Sequence, residues 1–348
     1  MIPRPVANRF ANVMGVDLHI AQQEIVLVYA LDALAERGIL DRLVFKGGTY
    51  LRMMVTGDVG RLSEDLDFTN RGLPDDPEPE LREAFAAAHH GVTFSVREPY
   101  RTMRRNWGCQ VEYSHEWDAG AFRFEVSYRE APFLPPARWT PLPQPYFSAL
   151  PFAPPVIPSL RVEEALAEKL RAIQQRATER DLYDAMRYGR KGFDMDLVRL
   201  LAVAKLWNDR EGFDPERILG TLTAGRREWP DLERLIGRSR RRDWNRDAAD
   251  AAKRFEFLRD LTPFERALVA DVRRHALGRN FWNDSRPTPC RSGTRAGRGT
   301  IKGDGAAPGP ESHHGSVRSY GVRHHTCRHG NVGDRRRRLG VRVGAAGR

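Results

Sequence analysis

The sequence predicts an α+β protein: a mixed sheet with flanking helices, followed by a helical domain and a basic tail. Three observations carry this. Short alternating strands are interleaved with helical stretches over residues 1–130, ten prolines crowd residues 131–158, and the periodicity beyond them is helical. The predicted divisions are therefore a sheet domain at 1–130, a proline-rich linker or extended wrapping segment at 131–158, a helical domain at 159–284 and a low-complexity tail at 285–348. A chain of 348 residues is long enough for two domains and a sizeable core.

Each element has a local reason. Asp17 to Arg37 reads as an amphipathic helix stopped by Gly38. Leu43–Phe45 is a short apolar strand, followed by a glycine-rich turn, a short helix at Tyr50–Val55 and a strand at Asp65–Thr69. A helix is predicted at Pro79–His90, and strand-like alternation at Val92–Arg97, Trp107–Tyr113 and Ala121–Tyr128. After the prolines, helices are predicted at Leu160–Arg176, Glu179–Tyr188, Asp194–Asn208, Pro230–Arg238, Arg242–Arg259 and Pro263–Leu277. There is no internal repeat.

The formal charge of +11 suggests a polyanionic partner, but its location matters. Residues 285–348 carry 14 Lys and Arg against 3 Asp and Glu, so residues 1–284 are formally neutral. The tail also holds 13 of the 30 glycines, and its apolar residues are sparse and aperiodic. Such a stretch cannot bury enough surface to offset its ordering entropy and is expected to be disordered. It is either a basic arm that grips nucleic acid or a non-functional extension, such as an out-of-frame end of a GC-rich gene. The composition favours the second. Cys109, Cys290 and Cys327 lack CxxC spacing, which argues against a zinc site or a disulfide framework. The N-terminus has no signal-peptide pattern, and the longest apolar stretch, Ile25–Leu34, is short and broken by Asp32. A soluble cytoplasmic protein with no membrane association is expected.

The chemistry concentrates in a few short motifs. In Asp65-Leu66-Asp67-Phe68, strand alternation points the apolar pair one way and both carboxylates the other. Like charges this close raise each other's pKa unless a cation intervenes, and Mg²⁺ is held by one or two carboxylates plus substrate phosphates. Alone, this pattern is more often a solvent-facing strand edge. Its neighbour changes the balance. Lys46-Gly47-Gly48-Thr49 joins a strand to a helix, where glycines admit close backbone approach, the helix start offers free N–H groups and lysine adds charge. It is not a Walker A loop, because the spacing differs. Glu125 shares a strand face with Arg123 and Ser127 and is a candidate third carboxylate, with Glu112 as its competitor. Lys169 falls in the apolar stripe Val162, Ala165, Leu166, Ile173, where a lysine must snorkel or meet an anion. In the next helix Thr178 is a candidate N-cap; Asp181 borders the inward stripe, whereas Asp184 points nearly opposite it.

Together, "FKGGTYL", "RLSEDLDF" and "ALAEKLRAIQQRATERDLYDAM" resemble the AbiEii/AbiGii-type nucleotidyltransferase toxins, which include the mycobacterial MenT toxins. The resemblance covers about Val44 to Tyr188. It implies a DNA-polymerase-β-like nucleotidyltransferase fold, an NTP substrate with Mg²⁺ (a two-metal site), and transfer of a nucleotide to an acceptor. In several members that acceptor is the 3′ end of tRNA, and transfer blocks translation. It also implies a cognate antitoxin, expected to be a winged-helix protein. Carried over by position, Asp65 and Asp67 are the metal pair, with Glu125 the third ligand by analogy with the wider superfamily. Lys46, Gly47, Gly48, Thr49, Arg61 and Ser63 lie on the nucleotide side, and Lys169 and Asp181 are the helical-domain members of the site. Two departures stand out: Tyr50 replaces a usual small residue, and the acid pair lies farther from the glycines than in the superfamily.

Two rivals have the same motifs to explain. One keeps the chemistry and makes the acceptor a protein hydroxyl or a small molecule. The other is a non-catalytic nucleic-acid-binding protein working through its arginine-rich tail. For an RNA acceptor, Arg97, Arg101, Arg104 and Arg105 with Tyr100 and Trp107 form a candidate patch, which reads equally well as a solvated strand and loop.

Overall fold

β1 (Leu43–Lys46) and β2 (Asp65–Asn70) lie at the centre of a seven-stranded mixed sheet, with Phe45 and Phe68 stacked across them at 5.2 Å. β3 (Thr93–Arg101), β4 (Asn106–His115) and β5 (Asp118–Ser127) form an antiparallel meander, whose last strand runs parallel to β2. β6 (Ala137–Trp139) and β7 (Ile157–Ser159) close the other edge, giving the order β3-β4-β5-β2-β1-β7-β6. The computed structural model describes residues 2–103, 105–188, 192–224, 230–237 and 244–274, all within one compact unit. The tail at 285–348 and Arg104 lie outside the described residues.

The proline-rich segment is an extended wrap that adds strands to the sheet. Proline has no N–H to give to a ladder, and the two strands this segment contributes are three residues each, the edge strand β6 without a proline and β7 with Pro158 alone. β7 pairs in parallel with β1 through Phe45 and Ser159, while Leu142 N donates to Met53 O at 2.7 Å.

α1 (Arg4–Met14) packs on α2 (Leu18–Glu36), which is buried on nearly all faces rather than amphipathic. Its Glu24 is tolerated inside because Arg52 donates to it from Nε and Nη2 at 3.0 and 3.2 Å, leaving no buried charge without a partner. After β1 the chain enters α3 (Gly47–Tyr50), which continues as a π-helical turn at Leu51–Thr56. α4 (Glu78–Ala84) is shorter than the predicted Pro79–His90 helix, because a turn closed by His89 and Val92 backbone bonds precedes β3.

α5 (Val162–Gln175) packs against α6 (Glu179–Tyr188) and α7 (Met195–Asn208). α8 (Pro215–Thr223), α9 (Pro230–Glu233), α10 (Trp244–Arg254) and α11 (Pro263–Val269) complete the described helices. Short connections between α5, α6 and α7 keep them adjacent, as in other helical layers. Lys205 of α7 is the polar pin of this layer, with Glu164 at 2.8 Å, Glu130 at 3.1 Å and Glu168 at 3.3 Å. Among the described residues, no helix is long and apolar enough to cross a membrane.

Candidate active site

Strand register builds the first half of the site. Leu66 and Phe68 are fully buried on one face of β2, which leaves Asp65 and Asp67 on the other. β1 places Lys46 opposite Asp67, and β5 places Glu125 opposite it on the other side. Lys46, Asp67 and Glu125 thus form one row across three central strands, with Arg123 beside Asp65. Glu112, the competitor for the third carboxylate, is elsewhere: it is exposed and pairs with Arg97 at 3.0 Å.

The electrostatics of this row favour a bound cation. Burial raises the Asp67 pKa to about 7, with the Asp65 and Glu125 charges adding to the rise and Lys46 and Lys169 opposing it. Asp65 is also raised, mainly by burial, against the pull of Arg123 and Arg180. Asp65, two residues along β2 from that row, joins Asp67 and Glu125 in offering only oxygen donors, the type that suits a hard divalent ion such as Mg²⁺.

The glycines of the turn meet the protein before any ligand. Gly47 has φ +76°, and a Cβ there would lie 2.1 Å from Asp67 Oδ2. A Cβ on Gly48 would lie 2.3 Å from Arg61 Nη2 and 2.9 Å from Ser63 Oγ. The turn thus makes room for the acid and guanidinium that line the cleft. Thr49 is buried, and its hydroxyl donates to the Asp65 carbonyl, fixing the turn to β2.

α5 and α6 supply the facing wall. Lys169 does not snorkel: its Nζ lies 3.0 Å from Asp181 Oδ1 and 2.9 Å from Asp184 Oδ2. Asp181 also accepts from Arg176 Nε at 2.8 Å and from the Thr178 hydroxyl at 2.7 Å. Burial raises the Asp181 pKa, but Lys169 and Arg176 outweigh it and hold the carboxyl below its usual range. Thr178 does act at the start of α6, its hydroxyl accepting from Asp181 N at 3.4 Å.

The placement of Asp184 corrects the helical-wheel expectation. It does not point to a free face: α6 is buried all round, and Asp184 receives Arg61 Nε and Nη2, each at 3.0 Å. The wheel missed it because the loop before β2 covers that side of α6. Arg176 and Arg180 line the cleft as well, the latter 3.6 Å from Asp65 Oδ2. Neither was among the expected site residues, although they stand four apart across the α6 start.

One cleft joins these halves. Its inner lobe is lined by Lys46, Gly47, Glu168 and Arg171, its outer lobe by Gly48, Arg61, Ser63, Asp65 and Arg123. Asp67, Glu125, Lys169, Arg176 and Asp181 are common to both. The arginine–aromatic patch on β3 and β4 does not form as predicted. Trp107 is 2% exposed and packs on Phe124, so it offers no ring to a base, and the Tyr100 hydroxyl donates to Glu125.

Residues 29–270 match the family described as nucleotidyl transferase AbiEii toxin, type IV TA system. This chain belongs to the AbiEii nucleotidyltransferase toxin family. Among solved structures it is similar to the nucleotidyltransferase toxin MenT4 of Mycobacterium tuberculosis, with 30% identity and a TM-score of 0.65. That match covers 80% of this chain and 98% of MenT4. A putative nucleotidyltransferase of Helicobacter pylori is 19% identical over 71% of this chain and 99% of its own, with a TM-score of 0.45. No curated protein sequence matches. The AbiEii chain is accordingly a nucleotidyltransferase, with an NTP as substrate, and the toxin of a type IV toxin–antitoxin pair, with an antitoxin as its partner. Membership decides against the non-catalytic rival. Nucleotidyltransferases generally use a divalent metal, and the carboxylate row of this AbiEii protein has the donors for one.

Proposed function

We propose that this toxin transfers a nucleoside monophosphate from an NTP to RNA, at the 3′ end of tRNA, in an Mg²⁺-dependent reaction that blocks translation: the terminal hydroxyl attacks the α-phosphate, the bond to the β-phosphate breaks and pyrophosphate leaves. The observation that carries the reading is the row Lys46–Asp67–Glu125, faced across one cleft by Lys169 and Asp181. Asp65, Asp67 and Glu125 would hold Mg²⁺. When bound, the metal supplies charge compensation for the triphosphate and acidifies the attacking hydroxyl.

The chain's own residues do the rest. Lys46 and Lys169 neutralise charge on the phosphates, and Asp181 and Asp184 fix the Lys169 ammonium so that it need not reorganise during transfer. Ser63 and the backbone at Gly47 and Gly48 border the same space and position the phosphates. Arg123 and Arg176, both more than half exposed in their side chains, offer cations to an RNA backbone at the cleft mouth. These replace the Trp107 patch as the support for an RNA acceptor. A winged-helix antitoxin is the partner proposed to neutralise the enzyme.

The test is incubation of the full chain with each labelled NTP, Mg²⁺ and total RNA. Label is expected at the 3′ end of tRNA with the wild type and in none of the RNA with Asp65→Ala or Asp67→Ala. Label appearing only in protein or in small molecules would transfer the proposal to the rival acceptor class.

A further inference from the structure

A second polar cluster lies away from the cleft. Asp32 and Glu36 of α2 meet His89 and His90 in the turn between α4 and β3. His89 Nε2 is 2.9 Å from Asp32 Oδ2, its Nδ1 is 3.7 Å from Glu36 Oε2, and His90 Nε2 is 3.9 Å from that same Asp32 oxygen. One donor atom from each of the four residues lies within 4.8 Å of all the others. None of the four lines either lobe of the cleft.

The turn is shaped to present both rings. His90 has φ +48°, in the left-handed region that side-chain-bearing residues enter infrequently. Paired backbone bonds between His89 and Val92, at 2.8 and 3.0 Å, hold the turn. Phe152 covers the imidazoles, with ring centroids 5.2 Å from His90 and 5.9 Å from His89. Burial raises the Asp32 pKa, and the neighbouring His89 ring pulls it down.

We propose that Asp32, Glu36, His89 and His90 form a structural Zn²⁺ site that fastens α2 to the turn before β3. Two imidazoles with two carboxylates give the four donors of a closed tetrahedral site, and imidazole selects zinc over magnesium or calcium. Donors bound at zinc distances stand about 3.3 Å apart, a spacing bracketed by the distances of Asp32 Oδ2 from the Nε2 atoms of His89 and His90, 2.9 and 3.9 Å. Glu36, whose side chain is 61% exposed, is able to swing in to close the set. No cysteine takes part, so the cysteine spacing that argued against zinc does not bear on this site.

The full chain, stripped with chelator, is titrated with Zn²⁺ by calorimetry in an Asp65→Asn, Asp67→Asn background that removes the competing acids of the cleft. The tail, with five of the ten histidines, is common to every sample, so the quantity read is a difference. Adding His89→Gln and His90→Asn is expected to remove one equivalent of bound Zn²⁺ and the zinc-dependent rise in melting temperature. Equal stoichiometry and an equal rise in both proteins overturn the site. Should the combined substitution unfold the chain, His90→Asn alone serves, since asparagine tolerates the left-handed conformation. Its zinc affinity is expected to fall at least tenfold with an unchanged metal-free circular dichroism spectrum. Unchanged affinity again overturns the proposal.

Discussion

Arg61 and Asp184 form a bidentate pair, Nε to Oδ1 and Nη2 to Oδ2, each at 3.0 Å and with both side chains 5% exposed. The pair ties the loop before β2 to α6, and Lys169 shares the same carboxylate at 2.9 Å. Removing one partner of a buried pair leaves the other charge without compensation. Asp184→Ala is therefore expected to lower stability in urea by about 3–5 kcal/mol and to abolish transfer. The double variant Arg61→Met, Asp184→Leu should recover much of that stability but none of the activity. A double loss equal to the sum of the single losses would refute the coupling.

Gly47 is constrained twice, by φ +76° and by Asp67 Oδ2 at 2.1 Å from any Cβ. Gly47→Ala must displace the Asp67 carboxylate, and a shift of that size in a catalytic group costs on the order of 10²-fold in rate. Gly38 supplies the control: its φ is +68°, but nothing lies within 4 Å of a Cβ. Gly38→Ala should cost about 1 kcal/mol of stability and leave transfer intact. Single-turnover rates and urea midpoints for the two variants separate backbone strain from site disruption; equal rates in both would remove the role assigned to the Gly47–Asp67 contact.

Glu168 lies between Lys46 at 3.4 Å, Lys205 at 3.3 Å and Arg171 at 3.4 Å. Burial raises its pKa, but the three cations outweigh burial and hold it well below the usual carboxylate range. Its folded pKa is thus below the unfolded value of about 4.3. The stability it contributes is fully present above about pH 4.3 and is lost as pH falls from there toward the folded pKa. Glu168→Gln is expected to be less stable at pH 7 by about 3 kcal/mol. Its urea midpoint should also change less than that of the wild type between about pH 4.5 and 2. Parallel pH profiles for the two proteins would contradict the assignment.

What the sequence made legible follows from range. Strand alternation over six residues placed Leu66 and Phe68 inside and both acids on the cleft face, and the same rule selected Glu125 on β5. Helical spacing found Lys169 as an anomaly in an apolar stripe, and its anions are now visible. The failures share a physical cause. Asp184, Trp107 and the Asp32–His89 contact depend on which distant segment covers a given face, with 123 and 57 residues separating Arg61 from Asp184 and Asp32 from His89. Local periodicity reports which face is apolar. It does not report what polar group arrives from elsewhere to cover the other face. The proline-rich wrap illustrates the same limit, since its short strands carry no alternation of their own and form by pairing, β7 with β1 and β6 with β7.

Tyr100 tests the role of Glu125 without touching a proposed metal ligand. Its hydroxyl donates to Glu125 Oε1, and its ring crosses β4 at Gly108, the residue registered opposite Glu125. A Cβ on Gly108 would lie 2.5 Å from Tyr100 Cζ, so the absent side chain is what lets the ring reach the acid. A partner that orients a metal-binding carboxylate typically matters 10–100-fold for metal affinity or rate. Tyr100→Phe is therefore expected to raise the Mg²⁺ concentration needed for half-maximal transfer by about tenfold, with activity largely restored at saturating Mg²⁺. Gly108→Ala, which pushes the ring aside, should reproduce the effect. Transfer rates measured across an Mg²⁺ series decide the matter: a lowered rate with an unchanged Mg²⁺ midpoint would mean that Glu125 acts on the nucleophile and not on the metal.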